Sequence, residues 1–362
     1  MKIKLFFFIP SLEYGGAGNA IINFLNYLDR NKFDLNLIFQ GDNKYRSHIP
    51  SYVKVFKLKK NKTFINFFEI KKIVKRNIYK SGKNIFISNI HFSNVLSIIF
   101  LKNIINLKIV AFERTSLKEL DLPNPFFNLK NIIIKLLIIL LYKYTDQIFT
   151  NAKNISKDLS KLNINSKVVY SGLINKILPK KKHKKKLFYK LIAVGRLSEQ
   201  KDYFTLIKAI KILKNKNFKL FIYGEGKLKN RINYFIKENN LNHRITIMGH
   251  VKNKEKIYRD ADLIILSSIF EGIPNCIVEA INYSVPVIAS RNHGGNKEIL
   301  KNGKFGDLFR MRDEVQLANK INSFFQNPKK LQKKVKLGSN SLNKFLIKNT
   351  SKNLENNLFK LY

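Results

Sequence analysis

Short apolar runs alternate with longer amphipathic stretches from one end of the chain to the other. In the first half, apolar runs at 4–9, 35–39, 53–56, 84–88, 108–112, 147–150 and 167–170 predict strands. They are too short for helices and rich in Phe, Ile, Leu and Val, as strands buried on both faces are. Between them, apolar positions at helical spacing predict helices at 17–28, 64–79, 93–101, 129–144 and 155–162.

The stretch 178–187 breaks this pattern: Leu178-Pro179 leads into a block of lysines around His183 that reads as a solvated linker. The pattern then restarts, with strands predicted at 191–194, 219–223, 245–248, 263–266 and 287–289 and helices at 203–213, 228–238, 254–259, 275–283 and 297–300. Residues 314–362 read as two or three helices without strands. Strands alternating with helices imply parallel sheets joined by right-handed crossovers. The restart implies an α/β chain of two Rossmann-like domains facing a cleft, and 362 residues suffice for two cores.

Charge changes the picture. The formal net charge is +44. Nucleic acid and anionic lipid both select such a surface, and a coding bias toward Lys, Asn and Ile produces it without either. Arg, the residue of bidentate nucleic-acid contacts, is scarce here. The balance favours coding bias together with docking on an anionic membrane surface, and no nucleic-acid partner. The helix at 64–79 sets Phe64, Phe67 and Phe68 beside Lys71, Lys72 and Lys75. It can lie on such a membrane or pack on the sheet.

The lone cysteine, Cys276, excludes a disulfide framework and a cysteine-based metal site, and suits a reducing compartment. The apolar stretch 5–9 is ended by Pro10. It is shorter than the roughly 7–15 residues of a secretory signal core, so it reads as a first buried strand. No segment reaches the ~20 apolar residues that span a bilayer; the richest, 132–141, is interrupted by Lys135 and reads as a buried or a monotopic helix.

The candidate chemistry centres on 270–280, Phe-Glu-Gly-Ile-Pro-Asn-Cys-Ile-Val-Glu-Ala. Glu271 falls on a loop after the predicted strand 263–266, and Glu279 in the early turns of a helix that starts near Pro274. Ligands of open α/β sheets bind at the carboxyl ends of strands. A carboxylate there can accept from sugar hydroxyls, while the first amides of the helix, at Asn275, Cys276 and Ile277, can face a phosphate. Arg196 follows another predicted strand, Lys201 opens the next helical region, and Asp202 is a candidate N-cap. Gly15 and Gly16 follow the first strand, where a tight turn close to a ligand is needed. His91, Glu113 and Arg114 follow later strands in the same way. Gly16-Ala17-Gly18 and Gly224-Glu225-Gly226 are each half of a dinucleotide fingerprint and do not complete it. Asp260-Ala261-Asp262 spells D-x-D, but it precedes its strand and so belongs to the wrong end of the sheet.

Taken in order, these pieces resemble the retaining glycosyltransferase family 4 of GT-B fold. The carriers are its E-x7-E motif at Glu271 and Glu279, Gly195-Arg196-Leu197 through Lys201, Gly224-Glu225-Gly226, Gly249, Gly294-Gly295 and the loop at Gly15-Gly16. The resemblance covers most of 1–310. It implies a metal-independent enzyme that moves a sugar from a nucleoside diphosphate donor to a hydroxyl of a growing glycan, with retention and no cofactor besides that co-substrate. Arg196 and Lys201 would hold the diphosphate, Glu271 the donor sugar and Glu279 the ribose; His91, with no clear motif around it, would touch the sugar and acceptor side or be a surface or satisfied histidine. The context implied is lipid-linked oligosaccharide or envelope polysaccharide synthesis, cytoplasmic and peripheral at the inner face of the plasma membrane. The domains expected are 1–177 on the acceptor side, the linker 178–187, a nucleotide-sugar domain 188–340, and a helical segment 341–362 packing back on the first domain. Two other classes stay open: a basic nucleic-acid-binding protein, which leaves Glu271 and Glu279 unexplained, and a non-catalytic protein of the same fold, which would not need Arg196, Lys201 and Glu271 together.

Overall fold

The computed structural model describes residues 2–362 apart from 13–14, 42, 44, 61, 122–127, 180–186, 215–216 and 252. Most of the basic stretch 178–187 therefore lies outside the described residues. The chain forms two units, one of Met1–Asn175 with Ile347–Tyr362, the other of Lys176–Leu346.

The first unit runs β1 (Ile3–Ile9), α1 (Gly16–Tyr27), β2 (Phe33–Gln40), β3 (Lys54–Leu58), α2 (Thr63–Asn77), β4 (Asn84–Asn89), α3 (His91–Leu101), β5 (Leu107–Glu113), α4 (Asn128–Leu141), β6 (Gln147–Thr150), α5 (Lys153–Ser160) and β7 (Lys167–Val168). Its strands are parallel, in the order β3-β2-β1-β4-β5-β6-β7. β1 is central because it is apolar on both faces. Leu5, Phe7 and Ile9 pack toward Ile21, Phe24 and Leu25 of α1, while Phe6 and Phe8 pack toward Phe67 of α2 and Val95 of α3. Successive strand residues point to opposite faces, so one strand feeds two cores.

The second unit continues with β8 (Tyr189–Val194), α6 (Tyr203–Ile212), β9 (Phe218–Tyr223), α7 (Lys229–Glu238), β10 (Ile245–Gly249), α8 (Lys254–Tyr258), β11 (Leu263–Leu266), α9 (Asn275–Asn282), β12 (Val287–Ser290), α10 (Gly295–Ile299), β13 (Asp307–Phe309), α11 (Glu314–Gln326) and α12 (Pro328–Gly338). These strands are also parallel, in the order β10-β9-β8-β11-β12-β13. Asp202 caps α6 as its position predicts, its carboxylate accepting from the Thr205 amide.

β13 was not in the hydrophobic pattern. It is three residues long, begins with Asp307, and gains its place by pairing with β12. The strand read at 167–170 stops at Val168. The last helix, α13 (Ile347–Phe359), belongs to the first unit and packs on α1. Leu354 and Leu358 enter that core, and Glu355 accepts from the Asp29 amide at 2.8 Å. The segment that joins the first unit begins at Ile347 and not at 341, because residues 339–345 form a 3-10 helix that packs on α9 and α12.

Candidate active site

In each sheet the strand order reverses once. The reversal lies between β1 and β4 in the first unit and between β8 and β11 in the second. The carboxyl ends of the strands beside such a reversal form a crevice where ligands of α/β sheets bind. The loops leaving β8 and β11 carry Arg196, Lys201 and Glu271; those leaving β1 and β4 carry Gly15, Gly16 and His91.

In the second unit, Lys201 Nζ and Glu271 Oε1 form an ion pair between two nearly buried side chains, 13% and 8% exposed. Burial opposes the charge on Lys201, but the Glu271 carboxylate outweighs it and raises its pKa. The ammonium therefore stays charged despite its burial. Gln200 ties the two loops together: its carbonyl accepts from the Ile269 amide, and its side chain donates to the Phe270 carbonyl at 3.0 Å. Ser267 donates to the Lys201 carbonyl at 2.8 Å. Arg196 is exposed on the same loop, close enough for its charge to act against that of Lys201.

Glycines let these loops meet. Gly294 has φ 143°, and a Cβ there would lie 1.8 Å from the Glu271 carbonyl oxygen. Gly224 has φ 154°, and its Cβ would lie 1.9 Å from the Gly195 carbonyl oxygen. The Gly224 amide donates to the carbonyl of Gly249, which ends β10. The glycines flagged in the sequence therefore pack the loops that present Arg196 and Glu271.

Helix α9 starts at Asn275, with Pro274 as its N-cap. The Ile277 amide donates to the Pro274 carbonyl at 3.1 Å. That engages the Ile277 amide, one of the three expected to face a phosphate; the other two, of Asn275 and Cys276, are amides a helix cannot satisfy internally. The Cys276 thiol is buried, and burial pushes its pKa up to about 12, so it is no thiolate nucleophile. Glu279 is buried and both its oxygens are engaged: Tyr258 donates to Oε2 at 2.8 Å and Lys254 Nζ lies 2.6 Å from Oε1. Each carboxylate oxygen has two lone pairs, so a further donor can still join. Asp262 precedes β11, and its carboxylate accepts from the Lys190 amide at the start of β8.

In the first unit, His91 opens α3 and is buried. Its Nδ1 lies 2.5 Å from Glu113 Oε2. Burial alone would lower the His91 pKa, but the Glu113 carboxylate raises it; in turn the imidazolium and hydrogen bonds hold Glu113 below the usual range despite its burial. Glu113 Oε1 accepts from Asn94 at 2.9 Å and from the Tyr142 hydroxyl. Ile90, just before His91, has φ 79° and ψ 141°, a region essentially reserved for glycine. Arg114 is buried over the Phe112 ring and donates to Asn89 and Ser171; burial lowers its pKa to about 9. Gly15 is the N-cap of α1, its amide donating to the Tyr45 hydroxyl at 3.2 Å, and Gly16 is exposed in the first turn.

The sequence reading missed Gln200, Tyr258, Asn94 and Tyr142. Gln200 was legible as part of the Gly195–Lys201 segment; the other three act across tertiary contacts that spacing does not reveal.

With this geometry in view, relatives place the chain. Residues 174–341 match the family described as glycosyl transferases group 1. A Campylobacter jejuni enzyme, N-acetylgalactosamine-N,N'-diacetylbacillosaminyl-diphospho-undecaprenol 4-alpha-N-acetylgalactosaminyltransferase, is 29% identical over 90% of this chain and 91% of its own. An Escherichia coli UDP-Gal:alpha-D-GlcNAc-diphosphoundecaprenol alpha-1,3-galactosyltransferase is 31% identical over 35% of this chain and 34% of its own. Among solved structures, Anabaena HepE in complex with UDP-glucose superposes with TM-score 0.80 at 17% identity, over 99% of each chain. Sucrose-phosphate synthase from Thermosynechococcus elongatus does so with TM-score 0.82 at 16% identity, over 100% of each. The chain is a glycosyltransferase of GT-B fold. Its residues 174–341 are a glycosyl transferases group 1 domain.

Proposed function

We propose that this glycosyltransferase is a retaining, metal-independent enzyme of family 4 type, with Glu271 and Glu279 as its E-x7-E pair. It moves a sugar from a nucleoside diphosphate donor to a hydroxyl of a lipid-linked glycan in envelope polysaccharide synthesis. The observation that carries the reading is the Lys201–Glu271 ion pair at the strand-order reversal of the second sheet, with Arg196 exposed beside it. Sugar transfer leaves a nucleoside diphosphate, so negative charge grows on the β-phosphate in the transition state. Lys201, Arg196 and the first amides of α9 offer positive charge to that oxygen, and groups positioned in advance lower the barrier without reorganising. Glu271 holds Lys201 charged until the donor arrives, then accepts from the donor-sugar hydroxyls. Glu279 takes the ribose as a further partner beside Tyr258 and Lys254. The leaving phosphate accepts the acceptor's proton, which fits attack from the same face.

Acceptors of the named relatives are linked to undecaprenol through a diphosphate. This supports a lipid-linked acceptor here, and with it peripheral work at the inner face of the plasma membrane. The test is turnover of Arg196→Ala and Lys201→Ala, each expected to fall roughly 10²–10³-fold with the fold intact by circular dichroism. Wild-type turnover in both would remove the assignment.

A further inference from the structure

Helix α4, NLKNIIIKLLIILL, is apolar nearly all round. A helix of that kind is normally buried, and only one side of this one is. Ile134 and Ile138 enter the core of the first unit. On the outer side, Leu129, Ile132, Ile133, Leu136 and Leu140 are 73%, 55%, 46%, 53% and 59% exposed. Their spacing puts them on one stripe. α3 packs against both α2 and α4, and the neighbours extend the apolar surface: Phe64 and Phe68 of α2 are 51% and 56% exposed and Ile99 of α3 is 52% exposed. The Phe64 and Phe68 rings meet the Phe100 ring of α3 at 5.6 and 4.9 Å. Soluble surfaces rarely leave so much contiguous apolar area uncovered.

The charge around this stripe is mostly basic, with Asp121 paired to Lys135 of α4. α2 carries Lys71, Lys72, Lys75 and Arg76 against the single acid Glu69, and α3 carries no acid. Lys130 lies in the first turn of α4 and Lys143 just beyond its end. An apolar stripe with a basic border is the composition of a helix that lies in a lipid interface, and anionic headgroups attract such borders. At 1.5 Å per residue α4 is about 21 Å long, short of the ~30 Å hydrocarbon core. Among the described residues no helix is long and apolar enough to cross a membrane.

We propose that the outer faces of α4, α3 and α2 form a monotopic docking surface for an anionic lipid bilayer, with α4 lying in the plane of the interface and its Leu and Ile side chains below the headgroups. This rests on the membrane reading given above and locates its contact. Sequence alone pointed to the 64–79 helix and left 132–141 as a buried or a monotopic one; the structure puts the main apolar contact on α4, because α2 turns Phe67, Ile70 and Val74 inward and α4 keeps six aliphatic side chains outside.

The chain contains no tryptophan, so one placed on the stripe is a clean reporter. In full-length Leu136→Trp, vesicles of phosphatidylglycerol and phosphatidylethanolamine are expected to shift the emission to the blue, and phosphatidylcholine vesicles to leave it unchanged. The triple variant Ile132→Ser, Leu136→Ser, Leu140→Ser is expected to lose at least tenfold in affinity for the anionic vesicles in a sedimentation assay. Its transfer to a short-chain, water-soluble acceptor should stay at the wild-type rate, which also shows that it is folded. If wild type binds anionic vesicles and the triple variant binds them equally well, the location on α4 is wrong and the membrane reading survives. If wild type binds no vesicle, both fall. A wild-type dimer by analytical ultracentrifugation that the triple variant dissolves assigns the stripe to a second copy of the chain and overturns the proposal.

Discussion

Two carboxylates eight positions apart look equivalent in the sequence, but their partners differ. Glu271 faces a single buried lysine on a loop, whereas Glu279 is gripped by Tyr258 and Lys254. An interaction made only in the transition state acts on kcat, and one made equally throughout acts on KM. Glu271→Gln is therefore expected mainly to depress kcat and to blur the choice between donor sugars that share a nucleotide. Glu279→Gln is expected mainly to raise the donor KM and to weaken the free nucleoside diphosphate. Steady-state kinetics with two donors, and calorimetry with the nucleotide, check the division. Normal nucleotide binding by Glu279→Gln would contradict it.

The His91–Glu113 pair makes a prediction about pH. His91 has its pKa raised from 6.5, so its stabilisation is fully present below 6.5 and is lost as pH rises through the raised value. Glu113 has its pKa lowered from 4.5, so its stabilisation is present above 4.5 and is lost as pH falls through the lowered value. The stability difference between wild type and Glu113→Gln should thus be largest between about 4.5 and 6.5 and shrink on either side. Urea unfolding across pH checks this; a difference that grows steadily with pH would rule out the pair as its source.

At the scale of elements, the loops after β11 and β12 are held by a close backbone approach. Gly294→Ala forces a Cβ against the Glu271 carbonyl and strains a positive φ, at a cost of about 1–3 kcal/mol, and should lower turnover by displacing Glu271. Gly303→Ala is the control: φ is 99° there, but a Cβ meets nothing within 4 Å. It should lose stability and keep turnover, and equal turnover losses in the two variants would refute the loop argument. Strands and helices were legible because apolar period and turn residues agree along the chain. β13 was not, since three residues with an Asp at the start carry no period and owe their state to β12. The positions of Glu271, Lys201 and Arg196 could be read from strand ends. The partners of Glu279 could not, because Tyr258 reaches it from α8 through a tertiary contact. Nor could the engagement of the Ile277 amide, which is a detail of how α9 begins.

For the whole molecule, the expected donor is a nucleoside diphosphate sugar, and binding to the folded state alone raises stability. At 100 times its Kd a bound donor should add about 2.7 kcal/mol, visible as a rise in Tm when a panel of such sugars is screened. A panel that leaves Tm flat would speak against donor binding. Activity is expected to survive a strong chelator; loss with EDTA that Mn²⁺ restores would bring Asp260 and Asp262 back as metal ligands.

The route of the chain has a consequence for its biosynthesis. It leaves the first unit at Asn175, builds the whole second unit, and comes back at Ile347. Domains generally mature as they emerge from the ribosome, the N-terminal one first. Here that order inverts. The second unit is complete while the first still lacks α13, and until Leu354 and Leu358 arrive beside Phe24 the core on the α1 side of the first sheet stays partly open. The nascent chain thus carries an open apolar patch while the second unit is being made, a surface on which holding chaperones act, and the patch closes when α13 emerges.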